Sequence, residues 1–453
     1  MKQQRQRRHG AGGPLRRVQI GNALSAFGSG FTMPYMFVYV DQVRGLGPLA
    51  AGMVFTVFAL AALAVLPLTG RGIDRYGPRP VLLVGAVVAA TGAFAFGHAT
   101  GTPGLILFSF LFGAGFTTCQ PALATMIVRS STRATRSHAF ALQFTLVNLG
   151  MGIGALIGGQ IVDVTDPGSL TTLFTIEAAA LLAMGLVAGS ARIPAAEPAP
   201  AGERSGPSGL RALVADKAML RLCVLAALIF FTCYGQFESG VAAFATDTVG
   251  VAPSTLGLAI GANALTIVVL QMLVVRITAR RRRTTAMAAA GLVWLGAWTM
   301  ALVAGLVRAE ALAATVSIVS IYALFGVGES LLAPTLGPIV ADLAPARLLG
   351  TYNAGYALVK QIAVAVGPAV GVLLVGSGTW PLYLAAMALC TLLIVVMALR
   401  LRGHLTPAQD NARQAAAPQF ADRRPSPPSR PGAGRPSSGA RRCAAGGSGP
   451  APS

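Results

Sequence analysis

The stretch Gly70-Arg71-Gly72-Ile73-Asp74-Arg75-Tyr76-Gly77-Pro78-Arg79-Pro80 stands between two apolar runs, Met53–Thr69 and Val81–Gly97. At about 1.5 Å of rise per helical residue, each run is long enough to cross most of the roughly 30 Å of bilayer hydrocarbon. The polar stretch therefore reads as a very short hairpin joining two spanning helices. Gly77-Pro78 turns the chain, Gly70 and Gly72 permit close backbone approach, and Arg71, Arg75 and Arg79 mark the side as cytoplasmic. One carboxylate, Asp74, sits among these cations.

Outward from this hairpin, apolar runs predict twelve spans near 18–40, 49–69, 81–99, 104–128, 139–162, 171–190, 218–246, 254–276, 285–307, 312–342, 352–375 and 381–400. With 54% hydrophobic and only 11% charged residues, the chain is an integral membrane protein and not an ordinary soluble enzyme. Its net charge of +20 does not indicate nucleic acid. Apart from Arg44, Arg308 and Lys360, the Lys and Arg residues fall on the side that this topology makes cytoplasmic, which is the positive-inside bias. Both termini are then expected in the cytoplasm, with the chain multi-pass in the plasma membrane. Cys119, Cys223, Cys233, Cys390 and Cys443 show no ligand spacing, so neither a disulfide framework nor a metal site is indicated. No nucleophile and base, metal cluster or phosphate loop suggests an enzyme, and no cofactor is implied.

The expected organisation is a basic cytoplasmic start over 1–17, a six-helix half over 18–190, a Pro/Ala/Gly/Ser-rich linker over 191–217, a second six-helix half over 218–402, and a disordered cytoplasmic tail over 403–453. The halves carry a duplication. Gly115 and Gly328, Pro121 and Pro334, Gly154 and Gly367, and Gly158 and Gly371 are each 213 positions apart. Four matches in one register across a helix-loop-helix unit mark parallel six-helix repeats. The fold class is all-α, with twelve transmembrane helices in two pseudo-symmetric bundles.

Charges inside hydrocarbon cost at least a few kcal/mol, so they face a partner or a water-filled path. Four lie well within spans: Glu177, Glu238, Glu329 and Lys360. Glu238, in Tyr234-Gly235-Gln236-Phe237-Glu238-Ser239-Gly240, and Glu329, after Gly326-Val327-Gly328, are the candidate protonatable coupling or substrate sites. Lys360 is the expected partner of Glu329, and a purely structural ion pair is the competing reading. Glu177 is expected to pack in an interface. Gln236, Asn148, Asn263 and Gln271 add uncharged polar groups, and Asn22, Ser25 and Ser29 form a stripe on the first span. Such stripes either glue helices together or line a polar cavity.

The pattern G-x-x-x-D-R-x-G-x-R, placed between the second and third spans, resembles the signature loop of the major facilitator superfamily. That resemblance implies a gating motif of Gly70, Asp74, Arg75, Gly77 and Arg79, with Asp74 closing the cytoplasmic side by docking at the start of the eleventh helix around Gly350–Asn353. The competing reading is a topogenic basic loop whose Asp offsets local repulsion. The fifth span, with Gly150, Gly154, Gly158 and Gly159, resembles the Gly-rich signature of superfamily exporters. There Ala155 replaces the usual Pro, which stands instead in the repeat copy as Pro368, beside Gly367 and Gly371. These residues are expected to pack helices. The fourth span, Leu105–Val128, lacks the Arg usual in proton-coupled drug antiporters; Ser109 occupies that approximate position.

The resemblance implies a monomeric secondary transporter, similar to the drug:proton antiporter branch, that exports a small amphipathic compound through the lipid bilayer by alternating access in exchange for protons. Uptake or facilitated movement of a sugar or amino acid is the alternative. A nontransporting membrane receptor or scaffold using the basic tail is a third class.

Overall fold

The computed structural model describes residues 12–163, 166–193, 209–237, 239–279 and 281–410. Twelve long helices organise them, and no strand occurs among the described residues. They are α1 (Gly12–Thr32), α2 (Gly47–Tyr76), α3 (Pro78–His98), α4 (Thr102–Arg129), α5 (Arg133–Ile161) and α6 (Pro167–Gly189), then α7 (Lys217–Ile229), α8 (Pro253–Thr278), α9 (Arg283–Leu306), α10 (Ala311–Leu332), α11 (Leu349–Gly376) and α12 (Trp380–Leu401). Eleven helical stretches are long and apolar enough to cross a membrane. The twelfth helix is α1, which continues through short 3-10 and π turns to Val43.

Proline sets many of the starts. It occupies the first turn of α2, α3, α4, α6, α8 and α12, where its missing N–H costs nothing and its fixed φ suits the helix. Inside a helix it interrupts instead. Residues 333–335, containing Pro334, break the tenth span before the helix resumes at Leu336–Leu343.

The short hairpin read from 70–80 is shorter still. α2 runs on through Gly70, Gly72 and Asp74 to Tyr76, and α3 begins at Pro78, leaving Gly77 alone as the joint. Gly77 takes φ +88°, and its N–H closes the helix on Ile73 O at 2.9 Å. The thirty residues of α2 rise about 45 Å, more than the hydrocarbon thickness, so the turn bearing Asp74 stands clear of the apolar layer.

The duplication seen in the sequence is repeated in the packing. α1 packs on α5, α2 on α4, α3 on α4, and α3 on α6; six helices later α7 packs on α11, α8 on α10, α9 on α10, and α9 on α12. Each half has its own core, one around Phe112, Leu123 and Met126, the other around Trp294, Trp298, Phe325 and Tyr383. Between halves, α2 meets α11 and α5 meets α8, and a step of six helices converts one pair into the other.

Glycine makes the α1–α5 seam possible. A Cβ on Gly154 would overlap the carbonyl oxygen of Phe27, and one on Gly150 would lie 2.8 Å from Ala23 O. Gly158 and Gly159 face Phe31 and Tyr35 in the same way. In the second half Gly367 lies against Gly235, and Gly371 against Gln236 and Gly240; Pro368 lies within α11 beside them. Gly152, on α5 with Gly154, has open space around it. Gly154→Ala is therefore expected to cost roughly 1–3 kcal/mol by overpacking, read as a lower thermal unfolding midpoint in detergent. Gly152→Ala should leave the midpoint unchanged. Equal midpoints for both variants would contradict this seam.

One boundary differs from the sequence reading. The disordered tail was expected from residue 403, yet Arg402–His404 and Pro407–Asp410 are helical turns folded onto the bundle. Leu405 is buried in the second half's core, and Asp410 is buried and accepts from Thr284 N and Thr284 Oγ1, both at 2.9 Å, so the segment is held by one apolar and one polar anchor. Residues 411–453 of that tail and 194–208 of the linker lie outside the described residues; Leu210–Ala215 of the linker forms a short helix.

Candidate functional site

The polar ties between the halves gather at the end that carries Asp74. Its carboxylate accepts from Gly350 N at 2.6 Å and Thr351 N at 2.9 Å, and from the Thr351 hydroxyl. These are the otherwise orphaned first N–H groups of α11, where the helix dipole favours an anion. Gly70, one turn earlier, brings α2 close: a Cβ there would lie 3.0 Å from both Thr351 Cα and Ala354 Cβ. Arg129, last in α4, is near enough to act on Asp74 electrostatically. Arg75 and Arg79 are exposed and reach neither α11 nor Asp74 by a hydrogen bond; the Arg75 guanidinium stacks 5.2 Å from the Tyr76 ring. Asn353 Nδ2 adds a 3.2 Å bond to Thr125 Oγ1 across the same seam.

A second tie was not anticipated. Asp342, at the end of the broken tenth span, is buried and paired with Arg136 of α5 in the other half. It also receives Arg283 Nη1 at 2.6 Å, with Arg133 at 3.7 Å on the outside. Arg283 Nη1 donates as well to Gln409 O at 2.8 Å. In the sequence Asp342 looks like a mere span boundary. A usable signal existed, because Asp342 is 213 positions beyond Arg129, so the duplication places an opposite charge at the equivalent end of the equivalent helix.

Midway along the second half, Glu329 is 6% exposed, with Asn263 of α8 near its carboxylate. Asn263 Nδ2 also donates to Tyr322 O at 3.2 Å. Cys233 and Tyr234, following α7, and Lys360 on α11 are near enough to act on the same acid electrostatically. Lys360 is exposed and places its ammonium 5.2 Å from the Phe230 ring; among the described residues no direct ion pair joins it to Glu329. Glu329 and Lys360 thus share a neighbourhood without the closed structural pair that was one reading of the sequence. Glu238 lies outside the described residues.

The other polar candidates divide. Gln236 is fully buried, donating to Gly367 O at 2.9 Å and accepting from Tyr383 Oη at 3.3 Å, so it fastens α11 and α12 and offers nothing to a substrate. Gln271 is fully buried and donates to Ser330 O at 3.2 Å, leaving Oε1 unpartnered. Asn148 is half-buried and bonds back to Phe144 O of its own helix at 2.9 Å. The stripe of Asn22, Ser25 and Ser29 is buried. Ser29 donates to Glu177 Oε1 at 3.2 Å, and Glu177 is completely enclosed against Gly28. Ser109 donates to Val54 O at 2.7 Å and serves the α2–α4 contact.

The family model described as Major Facilitator Superfamily matches residues 19–306 and 239–438. The chain belongs to the major facilitator superfamily. It is a multi-pass membrane transporter, not an enzyme. This facilitator is 24% identical over 391 residues to the uncharacterized MFS-type transporter YhjO of Bacillus subtilis, covering 84% of the chain and 90% of the relative. It is 25% identical over 249 residues to Multidrug resistance protein 1 of the same organism, covering 55% of the chain and 62% of that protein. Among solved structures, the facilitator superposes on FucP, a superfamily transporter in the outward conformation, with TM-score 0.70 at 15% identity, over 86% of the chain and 99% of FucP. That likeness establishes the fold alone.

Proposed function

We propose that this facilitator is a proton-coupled exporter of small amphipathic compounds, working by alternating access in the plasma membrane with both termini cytoplasmic. The arginine-rich end is then the cytoplasmic one by the positive-inside bias. The Asp74 and Asp342 ties describe a conformer closed on that side. Export is favoured over uptake by the multidrug-resistance name of one relative.

The observation that carries the reading is the Glu329 cluster. A buried carboxyl on α10, near Asn263 of α8 and in the electrostatic range of Lys360 on α11 without a direct ion pair, is suited to exchanging a proton as its surroundings open and close. With Ser109 tied up in helix packing, coupling is assigned to the second half. Asp74, Gly70 and Gly77 form the gate, and exposed Arg75 and Arg79 fix its orientation in the membrane.

The test is efflux of a cationic dye from cells and inverted vesicles, with the pH gradient intact or collapsed. Wild type should slow sharply when the gradient is removed. Glu329→Gln should run at the collapsed-gradient rate under both conditions while still binding dye. A Glu329→Gln protein that responds to the gradient as wild type does would remove this acid from the coupling scheme.

A further inference from the structure

At the arginine-rich end, away from Asp74, a cleft of about 260 Å³ opens between the halves. Ser137 and His138 of α5 form one wall, and Thr278, Arg281, Arg283 and Thr335 form the other. The charges here do not balance. Arg133, Arg136 and Arg283 all converge on the single carboxylate of Asp342, and Arg281 adds a fourth cation to the rim. The adjacent Arg282 is paired with Asp410 at 3.9 Å and draws nothing from Asp342.

Hydrogen bonding is incomplete in the same place. The Arg283 side chain is 4% exposed, yet its Nε and Nη2 have no acceptor; Nη1 alone serves Asp342 and Gln409. Ser137 Oγ and Arg136 Nε are likewise buried and unpartnered. Thr278 and Thr335 already give their protons to Val274 O and Leu332 O. The free groups at the cleft are therefore donors on a surplus of positive charge, where a buried unmatched guanidinium is costly. Several charge-assisted donors on two walls suit an acceptor with three or more oxygens and more than one negative charge.

We propose that this cleft binds a phosphate group, held between Ser137 of one half and Arg281 and Arg283 of the other. The group can arrive as free inorganic phosphate, as a phosphomonoester, or as the headgroup of an anionic phospholipid at the membrane face. Because it touches both halves, its binding ties the cytoplasmic end shut; that consequence rests on the alternating-access reading, whereas the site itself does not.

The experiment uses the purified full chain in neutral detergent, measuring thermal unfolding and calorimetric binding, with no transport step involved. Inorganic phosphate should raise the unfolding midpoint above that in chloride of equal ionic strength. Arg281→Gln and Ser137→Ala, both at the edge of the buried cluster, should each weaken binding about threefold or more, and Arg283→Gln about tenfold or more. A parallel titration with short-chain phosphatidic acid against phosphatidylcholine separates the sources. Tighter binding of free phosphate supports a soluble ligand, and binding of phosphatidic acid alone supports a lipid headgroup. Absence of both, or binding that survives Arg281→Gln and Ser137→Ala together, overturns the site.

Discussion

Asp342→Ala is expected to lower stability by about 3–5 kcal/mol, the usual cost of breaking a buried ion pair and stranding its partner. Asp342 receives Arg136 from one half and Arg283 at 2.6 Å from its own, and both arginine side chains are nearly enclosed. Removing the carboxylate leaves two guanidinium groups facing each other in a poorly solvated seam. A large fall in the thermal unfolding midpoint, with reduced folded yield, is the readout. Adding Arg136→Met to Asp342→Ala should recover part of the loss, since one of the stranded charges is then gone. A midpoint within a degree or two of wild type would mean that water reaches this cluster freely.

Asp74→Asn should act on conformation more than on stability. The carboxylate accepts two backbone N–H groups and a hydroxyl at the start of α11. An amide keeps one acceptor oxygen and turns its NH2 toward N–H donors. Losing hydrogen bonds to a charged group, each worth about 1.5–3 kcal/mol, should shift the population away from the closed end by roughly tenfold to a hundredfold. Spin labels at Arg71→Cys and Ala346→Cys, on opposite sides of this seam, would report a longer distance in the variant. Efflux should fall in parallel. An unchanged distance distribution together with unchanged flux would reduce Asp74 to a topogenic residue.

The fold was largely legible because its determinants are local and repeated. Apolar runs of bilayer length, prolines at their starts and the 213-residue step between Gly154 and Gly367 carry the architecture. The Asp74 contact with α11 was legible through motif position. What escaped depended on which way a side chain faces around a helix that is apolar on nearly every side. Gln236 reads as a cavity residue from its polar neighbours, but the close approach of Gly367 draws it into a helix seam. Asn22, Ser25 and Ser29 read either as glue between helices or as a cavity lining; Glu177 on α6 supplies an acceptor for Ser29, and the stripe is buried. The stretch 70–80 read as a hairpin in which Gly70 and Gly72 permit close approach. Glycine can stay helical when a neighbour presses close, as Thr351 and Ala354 do against Gly70, so α2 continues to Tyr76. The Arg136–Asp342–Arg283 cluster joins residues far apart in sequence, and only the comparison of Arg129 with its duplicate position points toward it.

The single-residue joint at Gly77 has a mechanical consequence. With Gly77 at φ +88° and a helix on either side, only the backbone dihedrals of this one residue separate α2 from α3, so the joint is expected to pass a rotation of one helix on to the other. Asp74 sits less than a turn from that joint, so a tilt of α3 within its own half is expected to reach the α11 contact. Inserting two flexible residues after Gly77 would turn this joint into a loose hinge, leaving both helices intact while severing the stroke between them.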